Sequence, residues 1–566
     1  MKKGNLSFRL TCLLSLTALL VTGCGSSGGT SGPNASVTPS SASASGTPSE
    51  NAVKWSGKIT VAPYMFSQVE NDIITPMVEE KLLEYGYDVD LENVYIENGQ
   101  YAELLNIRIA SGDAPDIFRG IDDAAFLEYN RQGVIANWDE SFFRENAPAV
   151  AAFIDSGGPN GSNKAIADVA WKMTMYEGKM ASVPYIARQT GSPINVIYNK
   201  QWLEKLNAQV PETLDDFVKL MYRFKNEDPD NNGKNDTYGL STTMLNVIFG
   251  AYGSFPGFLH MDYGHWYDVD GQLVAADIMP GNKEALSLIR QFFADGILDP
   301  EFVTGENTGG YWAISQSFVN GRIGVTHSAS LGHYQPVLVE GGTAGTVLQE
   351  FQKIQGADAD VVIGPWIEGP NGDKGGFLRY TVSGSNGSIL YNADLNKDMD
   401  KLAALFQIQD IFARDLDLCN LALNGIEGEH YTFQEGGWTL AAEGIDNKVK
   451  NQMGLMALRS LYGAENPSND AFFAQGDNDP GLKWRSEIQS TYPGLAAEVG
   501  YLSKLYTALP SQSKYQAELQ AYRDEMWLKI IQGTLPIDYY DTYVQEWKSK
   551  GGSTLTEEAN AWYSQN

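Results

Sequence analysis

The spacing of apolar and polar positions alternates between the two periods of regular structure along most of this chain. Lys58-Ile59-Thr60-Val61-Ala62 reads as a strand, and so do Asp88 to Leu91 and Asp116-Ile117-Phe118. Between them, Thr75 stands before Pro76 as an N-cap before a first-turn proline, and apolar residues then recur through Leu83. A second helix is expected from Ala102 to Ser111, stopped by Gly112. Strand and helix in alternation argue for an α/β body with a largely parallel sheet. Further on, a turn at Glu177-Gly178 leads into an extended segment that reaches Tyr185, and Asn195 to Tyr198 reads as another strand. Thr213 opens a helix in a capping-box arrangement, with Leu214, Phe217, Val218, Met221 and Phe224 on one face. A helix from Lys283 to Ala294 ends at Asp295-Gly296, and the C-terminal part is mostly helical, with amphipathic runs at 516–531 and 537–547. No repeat of solenoid or propeller length is present.

The two ends of this pattern differ sharply in composition. Lys2, Lys3 and Arg9 precede a short apolar run from Leu10 to Val21, too short for a stable span and laid out like a secretory signal. Val21-Thr22-Gly23-Cys24 follows and resembles the bacterial lipobox, in which the cysteine becomes the lipidated first residue. Residues 25–52 are almost wholly Gly, Ser, Ala, Thr and Pro, a composition that cannot bury enough surface to fold and that suits a tether. No later apolar stretch reaches the roughly 20 residues of a spanning helix. Loss of Met1–Gly23 removes three basic residues and takes the net charge from -30 to -33, which repels nucleic acid and anionic lipid alike. Of three cysteines only Cys419 would then be unmodified, so no internal disulfide forms, and its apolar surroundings suit a buried structural thiol.

Asp228-Pro229-Asp230-Asn231-Asn232-Gly233-Lys234-Asn235-Asp236 is the most specific internal motif. Oxygen side chains at positions 1, 3, 5 and 9, a glycine at 6 and a backbone carbonyl at 7 match nine positions of a loop that wraps one Ca2+. Asp228, Asp230, Asn232, Lys234 (through its carbonyl) and Asp236 are the expected ligands of a structural ion. Gly239 stands where position 12 calls for a bidentate glutamate.

Catalytic signatures are missing. The five histidines form no HExxH, and neither a phosphate-binding glycine loop nor a Gly-x-Ser-x-Gly elbow occurs. Glu427 and Glu429 are the carboxylate pair a glycosidase would need, although close pairs arise by chance among 70 acids. Aromatic residues make up 11% of the chain, and Trp171, Trp312, Trp366 and Trp438 lie in polar or turn-like contexts suited to stacking on sugar rings. Trp527 and Trp547 lie on amphipathic helices and read as core.

Several segments together resemble the family 1 extracellular solute-binding proteins of ABC importers, in particular the large LplA-type lipoproteins of Gram-positive bacteria and the alginate-oligosaccharide binders. They are Gly112-Asp113-Ala114-Pro115-Asp116-Ile117, Tyr198-Asn199-Lys200 with Trp202-Leu203, the calcium-type loop, 294–302, Asn320-Gly321-Arg322-Ile323-Gly324, Gly364-Pro365-Trp366, 425–431 and 531–537. The resemblance covers nearly the whole chain after the leader.

It implies a two-lobe periplasmic-binding-protein-like fold of type II, with hinged lobes around a central ligand cleft. The division expected is a signal peptide at 1–23, a tether at 24–54, a first lobe from 55–188 and 361–418, and a second from 189–360 and 419–566. Carried over by position, Tyr64, Arg119, Tyr185 and Arg188 face the cleft from one side, and Trp312 and Trp438 from the other. The expected function is non-catalytic: an extracellular, lipid-anchored monomer captures an oligosaccharide and passes it to the permease subunits of an ABC importer. Two readings stand beside it: a surface-anchored glycoside hydrolase or lyase using Glu427 or Glu429, and the same fold serving a peptide or another solute.

Overall fold

The computed structural model describes residues 52–62, 68–97, 100–121, 123–157, 164–186, 192–193, 195–259, 265–304, 315–376, 378–379, 382–383, 389–434, 439–455, 457–458, 461, 479–491, 503–505 and 507–565. Strand β1 (Trp55–Ala62) lies in the middle of the first sheet, parallel to β2 (Tyr87–Asn93) on one side and to β3 (Ile117–Arg119) on the other. The strand Ile389–Tyr391 returns late in the chain to pair antiparallel with β3. In β2 the side chains of Tyr87, Val89 and Leu91 are buried while Asp88, Asp90 and Glu92 are exposed, the two-residue period that fixes one face on the core.

Helix α1 (Thr75–Glu84) starts one residue earlier than the proline pattern implies. Thr75 is buried, and its hydroxyl accepts from the Asn93 amide at 3.1 Å. The capping is done by Asp72, whose Oδ1 accepts the N–H groups of Ile74 (3.2 Å) and Thr75 (2.9 Å). Helix α2 (Tyr101–Ser111) ends as expected on Gly112, which adopts φ 76°. The first-lobe core gathers Ile59, Val61, Val78 and Leu82 with Leu402, Leu405, Phe406 and Phe412 of the helix Met399–Arg414, and continues through Cys419 and Ala422 to Leu455, Leu458 and Leu461. Cys419 is fully buried, as its apolar context implied.

The second sheet has the strand Val196–Asn199, buried at every position, between Val325–Thr326 and Val361–Gly364, both antiparallel to it. Thr213 caps the helix Leu214–Asn226, accepting the Asp216 N–H at 3.3 Å; Leu214, Phe217, Leu220, Met221 and Phe224 are its buried face. The second-lobe core joins these to the helix Asn282–Ala294 and to three late helices, Gln512–Ile531, Tyr539–Trp547 and Ser553–Tyr563. Trp527 and Trp547 are core residues there, as their helical spacing implied. Among the described residues no helix is long and apolar enough to cross a membrane.

Candidate ligand cleft and cation loop

Two segments join the sheets side by side. Val183 bridges Ile389 at the edge of the first sheet, and the strands Tyr185–Ile186 and Val382–Ser383 then pair antiparallel. Ser192–Pro193 pairs with Leu378–Arg379, and Val196 meets Gly364 in the second sheet. The result is a two-stranded ribbon between the lobes, the geometry of a hinge that bends by small dihedral changes in both strands.

The ribbon leaves the first sheet beside Arg119, which pairs with Ile389 at the end of β3. The carboxyl ends of β1 and β3, side by side at Val61–Ile117 and Ala62–Phe118, therefore point to the same side as the ribbon. Ligands of open parallel sheets bind at such carboxyl ends. Arg119 is half-buried, and its main chain is clamped by the Tyr101 hydroxyl, which donates to its carbonyl at 3.2 Å and accepts from its N–H at 3.0 Å. Burial pushes the Tyr101 phenol up to about 12, so it stays protonated and able to donate.

On the second sheet the ribbon side carries Thr326, the last residue of the strand Val325–Thr326, and His327-Ser328 after it. Their hydroxyls run in a chain: Thr243 to Thr326 (2.9 Å), Thr326 to Ser328 (3.1 Å) and Ser328 to Tyr334 (3.1 Å). The His327 imidazole contacts the Asn195 carbonyl at 3.2 Å, at the foot of the ribbon. None of these was singled out from the sequence. The signal available was the hydroxyl-rich run Thr326 to Ser330 straight after a buried strand.

Of the aromatic platforms expected, Trp171 and Trp366 are buried in the cores of different lobes. The Trp171 indole donates to Asp155 Oδ1 at 2.9 Å, the Arg144 guanidinium covers its ring at 4.3 Å, and Phe143 meets it edge-on. Its polar and apolar needs are thus met within the first lobe. Trp366 packs under the ribbon: a Cβ on Gly376 would stand 2.5 Å from its Nε1, so only glycine lets the chain pass. Tyr185 lies in the ribbon itself. Tyr64, Arg188, Trp312 and Trp438 lie outside the described residues. Glu427 and Glu429 stand exposed on the turn that runs from Gly425 (φ 84°) through Gly428 (φ 83°) to His430, whose Nδ1 accepts the Ile426 N–H at 2.9 Å.

The cation loop folds tightly, with Asp228, Asn231 and Gly233 all at positive φ. Asp228 accepts the N–H groups of Asn232 and Gly233, both at 3.1 Å, while the Asn232 amide nitrogen sits between Asp230 (2.7 Å) and Asp236 (3.0 Å). Partial burial and the adjoining carboxylates of Asp228 and Asp236 push the Asp230 carboxyl above its ordinary value. Crowded acids of this kind fit a hard cation: turning the Asn232 amide end for end would bring a fourth side-chain oxygen to the group. In the present arrangement no three His, Cys, Asp or Glu side chains among the described residues close into a ligand cluster. Position 12 is beyond repair by an acid. Gly239 is buried, and a Cβ there would stand 2.6 Å from Ile297 Cγ2 and 3.0 Å from Met221.

Two α/β lobes joined by a paired ribbon, with sheet ends turned toward it, form the fold shared by type II solute-binding proteins. Residues 68–330 match the family described as bacterial extracellular solute-binding protein. It is 22% identical over 558 residues to lipoprotein LipO of Bacillus subtilis (strain 168), covering 97% of each chain. To the polygalacturonan/rhamnogalacturonan-binding protein YtcQ of the same organism it is 22% identical over 488 residues, covering 84% of this chain and 86% of YtcQ. The fold is similar to that of the Streptococcus pneumoniae ABC-transporter substrate-binding protein FusA in complex with kestose, with a TM-score of 0.61 at 18% identity over 90% of this chain and 99% of FusA. It is equally similar, with a TM-score of 0.61 at 16% identity, to the alginate-binding protein AlgQ2 solved without calcium ion, over 90% of this chain and 98% of AlgQ2. An EF-hand mutant of FusA, in complex with fructo-nystose, has the same fold at the same TM-score.

Proposed function

We propose that this chain captures an oligosaccharide between its lobes outside the cell and hands it to the permease of an ABC importer, without breaking any bond of the ligand. The observation that carries the reading is the ribbon: two paired strands leave the carboxyl ends of one sheet and enter the other, so a ligand held at those ends touches both lobes only when they close. Closure is a population shift, driven by contacts that exist in the closed state alone. The relatives named for polygalacturonan, rhamnogalacturonan and kestose supply the ligand class.

In this reading the first lobe comprises 55–186 with 382–461, and the second 195–376 with 479–566, following the two cores. Cys24 carries the lipid, 25–52 is the tether, and Arg119, with Tyr64, Arg188, Trp312 and Trp438, contributes to the cleft. The Asp228–Asp236 loop holds a structural Ca2+ through Asp228, Asp230, Asn232, the Lys234 carbonyl and Asp236. Its role is to staple an exposed loop to the second lobe.

Calorimetry against oligogalacturonides, kestose-type fructans and peptides tests the proposal. Saturable binding of a saccharide with no new reducing ends on prolonged incubation is the expected result. Binding of peptides alone, or release of shorter sugars, would overturn it.

A further inference from the structure

Helix α3 (Asp123–Gln132) belongs to the first lobe: Phe126 and Tyr129 are buried against Ala62, Phe118 and Leu390. The helix Gln512–Ile531 belongs to the second, through Leu519, Trp527 and Ile530. The two touch at their ends. Arg131, in the last turn of α3, donates through Nη1 to the Ser513 hydroxyl at 3.2 Å and through Nη2 to the Pro510 carbonyl. Among the described residues, these are the side-chain hydrogen bonds that join one lobe to the other away from the ribbon.

Both partners are held rigid by their own lobes. On the first side, α3 is stopped by Gly133 at φ 65°, with the Val134 N–H bonded back to the Tyr129 carbonyl at 3.0 Å. The adjacent Asn130 is buried and bonded to Phe126 and Asn137. On the second side, Glu558 of the helix Ser553–Tyr563 accepts the Ser511 N–H at 2.9 Å and its hydroxyl at 2.6 Å, and Gln512 accepts the Leu509 N–H at 2.8 Å. The turn that receives the guanidinium is therefore built in advance, so little order is lost when the link forms.

We infer that Arg131 and the Pro510–Ser513 turn form a ligand-independent latch that holds the lobes in the relative arrangement described here. A hinge alone leaves the populations of the lobe arrangements to the ligand. A contact made by the protein itself biases them before any ligand arrives. Both acceptors are neutral, so the latch differs from a surface ion pair in being little weakened by salt.

The test is a distance measurement that needs no sugar. Spin labels on cysteines placed at the exposed positions Lys81 and Lys353, one in each lobe, report the lobe-to-lobe distance by pulsed electron resonance in the full chain carrying Cys12→Ser and Cys24→Ser; Cys419 is buried and unlabelled. Arg131→Ala should lower the population of this arrangement relative to all others about fivefold, the scale of one net hydrogen bond between solvent-exposed groups. Arg131→Lys, which keeps the charge but cannot span both acceptors, should fall between. Arg131→Ala made on top of Ser513→Ala should add less than it does alone. An unchanged distance distribution in Arg131→Ala would overturn the latch. Failure of every sugar to bind would strike the proposed function and leave the distance result standing.

Discussion

The two lobes solve the same assembly problem with cations of very different burial. In each, a late segment of chain must be tied to an early one. In the first lobe Lys401, from the helix Met399–Arg414, reaches Asp116 at 2.8 Å, and Asp116 also accepts the Thr60 N–H (2.7 Å) and hydroxyl (2.9 Å). In the second lobe Arg523, from the helix Gln512–Ile531, donates to Asp277 (2.8 Å), the Pro256 carbonyl (2.7 Å) and Asp524 (2.9 Å). Lys401 and Asp116 keep 19% and 16% of their side-chain surface in water, whereas Arg523 keeps none. Asp277 in turn accepts the Trp547 indole N–H at 3.3 Å, while the Tyr543 hydroxyl donates to its main-chain carbonyl at 3.3 Å. The difference teaches that the first lobe's clamp is a wetted one built on one carboxylate, and the second lobe's is a hub in which one fully buried cation serves two carboxylates and a carbonyl.

That contrast is open to attack at its strongest point first. Arg523→Met leaves two carboxylates facing an apolar seam, and removal of one partner from such a buried pair costs about 3–5 kcal/mol. Urea unfolding should show the second lobe melting separately and early; a loss below about 1 kcal/mol would mean that the hub is dispensable.

The same seam should respond to acid. His265 lines a cavity of about 40 Å³ with Arg523, Asp277 and Trp547, and burial lowers its imidazole from 6.5 to about 4. Between those values the unfolded chain binds a proton that the folded one refuses. Stability from this group is thus whole above pH 6.5 and falls away as the pH drops toward 4, by about 3 kcal/mol. Unfolding curves of His265→Gln should lose that slope relative to the unmodified protein while keeping the slope due to carboxylates. Parallel slopes in the two proteins would remove His265 as the cause.

Lys401→Met should cost the first lobe less, about 1–2 kcal/mol, because Asp116 keeps both bonds from Thr60 and some contact with water. A cost equal to that of Arg523→Met would erase the distinction between the clamps. Smallest of all is the cation loop. Chelation should lower the melting temperature by a few degrees, and Asp230→Asn should abolish that response by removing the most crowded carboxylate. No shift on chelation, with no calcium in the purified protein, would reduce the loop to a polar turn.

Much of the fold was legible because burial leaves a periodic trace. The alternation in β2, the face of Leu214–Asn226 and the stop at Gly112 all follow from local geometry. Thr75 misled by one position because a buried threonine and a capping threonine look alike in sequence; Asp72, three residues earlier, was the cap. Trp171 and Trp366 sit among polar neighbours in the chain and among apolar ones in space. The chemistry of a tryptophan's surroundings is set by residues such as Asp155 and Gly376, whose proximity local spacing does not encode.

The sequence by itself determined the alternating elements, the buried thiol, the oxygen-rich loop and the absence of a catalytic signature, since each is a matter of residue type within a few positions. Tertiary structure alone decided that Gly239 admits no acid, that strands 196 and 364 meet at the foot of a ribbon, and that Arg131 finds Pro510 across the lobes. Those contacts join residues up to hundreds of positions apart. Their energy depends on where the cores bring the chain together, and no local period records that.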